Sequence, residues 1–421
     1  KVRAGVEVPG DKSISHRALL FNAVANGTAQ IERPLDSADV RSTARCLSAL
    51  GVEIEWEAER LSVTGRGLHG LFESEDVLDC GNSGTTMRLL TGLLSAHPIL
   101  SILTGDASLR TRPMGRVVAP LRKMGAHIHG RVGDTLAPLV IKGGDLKGIE
   151  YDSPVASAQV KSALLLAGLY AERETTVREP AKSRDHSERM LAGMGADIRT
   201  DGTAVSIRPV PALEPLSLRV PGDISSAAPW LVLGACHPDA EIVIKGVNTN
   251  PTRTGMLDIL REMGARVEVE EERHIGGEPV ADLVVRTSQL RAMTVSGELV
   301  PRAIDELPLV AVLACFAEGE TVVKDAAELV VKESNLVESV VRVLSAMGAK
   351  VTAREDGFVV EGKQALTGAV IDARGDHRIG MLAGIAGMLA DGETRVVNGA
   401  VEVSYPTFWD DLRKAAEGAT A

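Results

Sequence analysis

The chain has 421 residues, 44% of them hydrophobic and 24% charged, with 42 glycines; that is too much chain for one core and suits two or three globular domains. The formal net charge is -11 and the basic residues form no tract, which argues against nucleic acid or an anionic membrane face as the main partner and leaves small molecules. Cys46, Cys80, Cys236 and Cys315 stand far apart, KVRAGVEVPG lacks the apolar core of a signal peptide, and apolar runs such as SALLLAGLYA are about half the roughly 20 residues that span a bilayer, so a cytoplasmic chain with reduced thiols is expected.

The first element is a strand, KVRAGVEV, which runs into the turn VPGDKSISHR (Val8–Arg17). Pro and Gly redirect the backbone, and Asp11 is placed to cap the helix that follows. A helix of small apolar residues, a short turn and a strand come next in LLFNAVANGTAQIE, then an amphipathic helix closed by Gly51 before a strand in LSALGVEIE. ERLSVTG adds a period-2 strand. GRGLHG satisfies GxGxxG on paper but leads into LFESED rather than an apolar helix, so it reads as a turn. From there the series recurs. The apolar helix and its strand return in LLTGLLSAHPILSIL, LLLAGLYAERETTVRE, WLVLGACHPDAEIVIKG, AVLACFAEGETVVKD and GIAGMLADGETRVVNG; the Gly-closed helix returns in LRKMGAHIH, LAGMGADIR, LREMGARVE and LSAMGAKVT. His127 and His129 alternate on one of these strands with no third ligand nearby, which reads as an exposed strand face and not a metal site.

These pieces make one unit of about 70 residues, used six times. The predicted class is α/β (α+β): two similar domains, each of three βαβαββ-like units. The turn VPGD occurs twice, the second time in VPGDISSAAP from Val220, and marks two crossover segments between domains. The final helix, near Tyr405 to Ala416, is followed by EGATA without a closing strand, while KVRAGVEV has no helix before it; closing the sixth unit with the first strand is the economical solution. The domains are then 12–221, and 1–11 plus 222–421.

Six loops feed the apolar helices: PGDKSISHR, GNSGTTMR, SPVASAQVK, PGDISSAAP, ELVPRAIDE and ARGDHRIG. Helix starts carry unpaired N–H groups and partial positive charge. With Lys12, Arg17, Arg88, Arg302 and Arg378, and with Ser13, Ser15, Asn82, Thr85, Ser157 and Gln159, they would form a cleft between the domains that takes a small anionic substrate. GVEVPGDKS nearly matches a phosphate loop, but Asp11 is inserted before the lysine, which spoils the register. No serine sits in a G-x-S-x-G elbow and no cysteine has a local base.

PGDKSISHR, GNSGTT, TRPM, SAQVKSALLLAGL, KSRDHSERML, AIDELP, VKES and GDHR resemble, in order and along nearly the whole chain, the 5-enolpyruvylshikimate-3-phosphate synthase family. The resemblance implies an inside-out α/β barrel architecture and transfer of the enolpyruvyl group of phosphoenolpyruvate to the 5-hydroxyl of shikimate 3-phosphate, releasing phosphate, without metal or cofactor. It implies that Lys12 touches both substrates, that Ser13, Arg17, Ser157 and Arg184 hold shikimate 3-phosphate, and that Arg112, Arg378 and Gln159 contact phosphoenolpyruvate; Asn82 and Thr85, in the GNSGTT motif, are further candidates for substrate binding. Gly84 would let phosphoenolpyruvate approach the helix backbone, and Ala158 stands where some members have a second serine. Asp305 resembles the base for the 5-hydroxyl proton; Glu333 would exchange a proton with the methylene carbon, with Lys332 steadying charge beside it. A monomer is the expected state.

Two positions depart from the family pattern. Leu336 stands where an arginine contact to phosphoenolpyruvate is usual, and Leu89 where many glyphosate-sensitive members carry proline; a raised Michaelis constant for phosphoenolpyruvate and lowered glyphosate sensitivity are expected. The alternatives are the enolpyruvyl transferase acting on UDP-N-acetylglucosamine, against which the missing loop cysteine counts, and a catalytically weak binding protein on the same fold.

Overall fold

In the computed structural model, residues 1–330, 332 and 334–417 are described, so Glu333 lies outside the described residues. The chain divides into two compact units. The N-terminal unit is 10–220 with 275–278, and the C-terminal unit is 1–9, 221–274 and 279–421. The chain passes between them inside both VPGD turns, at Pro9/Gly10 and at Val220/Pro221, and again on either side of 275–278. That last pair of passages has no counterpart among the two turns read from the sequence.

In the N-terminal unit three apolar helices, Lys12–Ala23, Gly84–Leu94 and Ala158–Gly168, are buried almost all round, as helices without a polar face must be. Each starts at a side-chain cap: Ile14 N–H donates to Asp11 at 2.8 Å, Thr86 N–H to Ser83 at 3.1 Å and Val160 N–H to Ser157 at 3.4 Å. The second and third helices approach so closely at Gly92 that a Cβ there would sit 2.6 Å from Ala163 Cα, which only glycine avoids. The amphipathic helices Ala38–Ala49, Gly115–Lys123 and His186–Gly193 bury one face each. Their last turns close at Gly51, Gly125 and Gly195, all with φ between +87° and +101°, the left-handed C′ position. One hydrophobic core serves the whole unit.

Three four-stranded sheets surround these helices. Each begins with a short lead strand parallel to a longer one, which pairs antiparallel with a hairpin: Leu78–Asp79 beside Leu100–Thr104, and Glu150–Asp152 beside Thr175–Arg178. In the first repeat the lead strand is Leu218–Arg219, paired with Ile31 and Glu32 from the far end of the unit. Its own preceding strand, Val2–Val6, belongs to the C-terminal unit and pairs in parallel with Ala240–Asn248, from Val2 opposite Ala240 to Val6 opposite Ile244. The lead strands of the first and fourth repeats are thus exchanged. The first strand fills the place Leu218–Arg219 leaves empty; it lies in the C-terminal unit as expected and the last helix, Phe408–Glu417, packs on it, but its hydrogen bonds go to the fourth unit's sheet, while among the described residues the sixth unit's sheet holds Val370–Asp372 and Arg395–Val397.

The C-terminal unit repeats the plan around the buried helices Ile224–Cys236, Leu307–Phe316 and His377–Met388, with its own core. Here the two VPGD turns meet, Asp223 N–H donating to Pro9 O at 2.9 Å. No helix among the described residues is long and apolar enough to cross a membrane. All four cysteines are free, and 65–70 is an irregular turn as the sequence suggests.

Candidate active site

Within the N-terminal unit the starts of the three apolar helices are tied together pairwise by polar side chains. The first is joined to the second through the buried chain His16 Nδ1 to Thr43 Oγ1 (2.8 Å), Thr43 to Thr86 Oγ1 (2.7 Å) and Thr86 to Ser83 Oγ (2.7 Å). It is joined to the third by Arg17, which donates to Ser162 Oγ at 2.9 Å, to Ser187 Oγ at 2.8 Å and to the carbonyl of Ser13 at 3.0 Å. The second and third are joined by Arg88, donating to Gln159 Oε1 at 2.6 Å, while Gln159 Nε2 donates to Thr85 Oγ1 at 3.1 Å. Three helix N-termini therefore share one region with Lys12, Arg17 and Arg88, and their dipoles add to those cations.

The charges are held in place rather than left to solvent. Lys12 is ion-paired with Asp39. Arg17 is 2% exposed, and burial draws it down to about 10, opposed by Glu188 and Asp11; it stays cationic at neutral pH. Burial, with Lys12 and Arg17 adding to it against Asp39, draws His16 down to about 3, so the imidazole there is neutral. Arg112 donates to Asn82 Oδ1 at 2.6 Å and to the Asn82 carbonyl at 3.1 Å, and Asn82 in turn donates to Asp106 at 2.7 Å. A Cβ on Gly84 would lie 2.8 Å from Arg88 Nη1 and 3.6 Å from Arg112 Nη1, so this residue stands between two guanidinium groups. Ala158 begins the third helix, its carbonyl accepting from Ser162 at 2.5 Å. Ser157 caps that helix, and Arg184 is half-buried in the 180–185 loop. Ser15, grouped with the anion contacts by sequence, is fully buried; its hydroxyl donates to Asp11 O at 2.7 Å and accepts from Leu35 N–H at 2.9 Å, a structural role.

In the C-terminal unit Asp305 and two cations meet. Its Oδ1 accepts from Lys332 Nζ at 3.2 Å and from Arg378 Nη2 at 3.1 Å. Asp376 caps the Arg378 helix, accepting from the backbone of Arg378 and Ile379, and also takes a 2.6 Å hydrogen bond from Ser334, tying that serine to the GDHR loop. Beside Asp305, Glu306 is 1% exposed and bonded to Ser225, which accepts from Arg253 at 2.9 Å while Arg253 also reaches Asp223 at 3.0 Å. The second VPGD turn thus spends its Asp and Ser on an internal network. Arg302 donates to Asp258 at 2.6 Å and to Pro251 O at 2.8 Å and does not join the Asp305 group. Leu336 opens the helix Leu336–Ala346 and is fully buried in the core, as is Leu89. Sequence reading misses Asp39, Lys161, Glu179, Glu188 and the Arg253–Glu306 pair; a lysine inside the apolar run QVKSALLLAGL is the one visible signal, since a charge there needs buried partners.

Two three-repeat units built this way have the enolpyruvyl transferase fold: the enolpyruvyl transferase NikO from Streptomyces tendae, only 17% identical, superposes with a TM-score of 0.80 over 99% of this chain and 95% of that one. EPSP synthase from Acinetobacter baumannii is more similar, with a TM-score of 0.90 and 43% identity over 98% of this chain and 96% of that one. Relatives from Roseiflexus castenholzii and Chloroflexus aurantiacus, both named 3-phosphoshikimate 1-carboxyvinyltransferase, are 52% and 53% identical over 99% and 100% of this chain and 98% of their own length. The family model for EPSP synthase (3-phosphoshikimate 1-carboxyvinyltransferase) matches residues 1–412, and the chain belongs to that family. The UDP-sugar alternative is not favoured by these matches.

Proposed function

We propose that the chain transfers the enolpyruvyl group of phosphoenolpyruvate to the 5-hydroxyl of shikimate 3-phosphate, releasing phosphate. Among the observations on the site, the one that carries this reading is the carboxylate of Asp305 set between Lys332 and Arg378. In the addition step Asp305 takes the 5-hydroxyl proton, the hydroxyl oxygen bonds to the central carbon of phosphoenolpyruvate, and Glu333 delivers a proton to its methylene carbon. In the elimination step that proton returns to Glu333 as the carbon–oxygen bond to phosphate breaks and the double bond reforms. A base and a separate proton shuttle for carbon are what such a sequence requires.

The binding roles follow from charge. Lys332 and Arg378 fix the Asp305 carboxylate, and an arriving carboxylate or phosphate would compete with it for Arg378. Lys12, Ser13, Arg17, Ser157 and Arg184 hold the acceptor's anionic groups. Arg112, Arg378 and Gln159 hold phosphoenolpyruvate, with Asn82 and Thr85 setting Arg112 and Gln159, Gly84 leaving room, and Ala158 contributing its position at a helix start. Fixed cations and helix dipoles of this kind stabilise phosphate charge best without water reorganisation. The four free thiols suit a reducing cytoplasm, and the chain acts as a monomer, each unit already enclosing its own core. The test is to mix phosphoenolpyruvate and shikimate 3-phosphate with the protein and follow phosphate release and the enol ether product by phosphorus and proton NMR. Release with UDP-N-acetylglucosamine instead, or with neither acceptor, refutes the reading.

A further inference from the structure

Behind Ser157 lies a charged cluster that the proposed chemistry does not use. Lys161 is 1% exposed, and its ammonium reaches Glu179 Oε2 at 3.2 Å and Glu188 Oε1 at 2.7 Å. Glu179 accepts the Ser157 backbone N–H on Oε1 at 3.0 Å; on Oε2 it accepts the Ser183 hydroxyl at 2.8 Å and the Ser183 N–H at 3.3 Å. One buried carboxylate therefore joins the loop that ends in Ser157 to the loop that presents Arg184.

A buried ion cluster is weak evidence for stability, because apolar replacements of similar volume are often as stable. Its use must be sought in what it orients. The Ser157 hydroxyl makes only a long capping bond, 3.4 Å to Val160 N–H, so the shorter bond from its N–H to Glu179 is what sets the residue, and the hydroxyl can turn to a ligand. A carboxylate this near an anion site would repel a phosphate if left alone, and Lys161, which it shares with Glu188, offsets part of that charge.

We propose that Glu179, held by Lys161, is a positioning residue that presents Ser157 and Arg184 to the phosphate monoester of the acceptor. This rests on the reading of shikimate 3-phosphate as acceptor. The experiment compares the unsubstituted protein with Glu179→Ala and Glu179→Gln, using shikimate 3-phosphate and, as the same ring without its phosphate, shikimate. In Glu179→Ala the KM for shikimate 3-phosphate should rise roughly 10- to 100-fold while kcat, the KM for phosphoenolpyruvate and kcat/KM for shikimate stay within about threefold. Glu179→Gln should recover most of the loss, since its amide oxygen still accepts from Ser157 N–H. Equal losses on both acceptors, or no loss on either, overturn the proposal. Should Glu179→Ala fail to fold, Ser183→Ala removes one hydrogen bond and should shift the same ratio by roughly 3- to 10-fold; an unchanged ratio is equally decisive against it. If the unsubstituted protein releases no phosphate with either acceptor, the functional reading fails separately, and inorganic phosphate binding decides on Glu179: about tenfold weaker in Glu179→Ala supports the role, and unchanged binding removes it.

Discussion

His16 offers a quantitative test of how the N-terminal helix starts are built. Its imidazole is fully buried, hydrogen-bonded through Nδ1 to Thr43 at 2.8 Å, and holds a pKa of about 3 against an ordinary 6.5, with burial the largest cause. The unfolded chain binds a proton here below 6.5 and the folded chain does not, so the stabilisation from a neutral His16 is complete above 6.5 and is lost as pH falls toward 3. Between pH 7.5 and pH 5 the loss is about 2 kcal/mol, from 1.36 kcal/mol per unit over the interval below 6.5. His16→Asn keeps a polar atom near Nδ1 but cannot titrate. Hydrogen exchange of the Lys12–Ala23 amides at both pH values, in both proteins, should show the unsubstituted protein losing about 2 kcal/mol more than the variant, the other titrating groups cancelling. The imidazole resonance that vanishes in the variant should stay unmoved from pH 8 to 5. A difference under about 0.5 kcal/mol, or a resonance titrating near 6.5, refutes the reasoning.

Three further expectations concern single residues. Asp305→Asn removes the proton acceptor and should lower kcat by roughly 10²- to 10⁴-fold with less than about tenfold change in either KM; steady-state phosphate release checks it, and a kcat within threefold excludes Asp305 as base. Gly92→Ala puts a Cβ 2.6 Å from Ala163 Cα and 2.7 Å from its carbonyl carbon. These are backbone atoms that cannot swing away, so a loss of about 1–3 kcal/mol is expected by urea unfolding. Leu336→Arg would restore the cation expected at that position, but from inside a closed core, and should cost about 2–5 kcal/mol. A variant as stable as its parent with a lowered KM for phosphoenolpyruvate would show that residue 336 faces the substrate.

What could be read in advance follows the range of the interaction responsible. The glycines at 51, 125, 195, 264 and 348 announce helix ends because a φ near +90° after a helix is a demand on one residue. The repeat, and with it the fold class, follows from those ends and from six apolar helices. Asp305, Lys332 and Arg378 lie in separate segments, and only the resemblance groups them. Arg17 is visible as a cation, but its locking by Ser162 and Ser187, 145 and 170 positions away, depends on the packing of the whole unit. The strand exchange is hidden for the same reason: Leu218–Arg219 is two residues long, and nothing in them chooses Ile31–Glu32 as neighbours. Burial of Leu336 is hidden likewise, because a lone leucine at a helix start carries no sign of which core it enters.

The exchange of lead strands has a consequence for synthesis. Val2–Val6 leaves the ribosome before any of the N-terminal unit, yet its partner Ala240–Ile244 follows only after that whole unit, on the order of ten to fifty seconds later at elongation rates of about 5–20 residues per second. For that interval an alternating apolar ribbon waits with both edges unpaired, an opportunity for chaperones and for misassociation alike. The arginine within it, Arg3, and the glutamate just beyond it, Glu7, are the charges that guard it meanwhile.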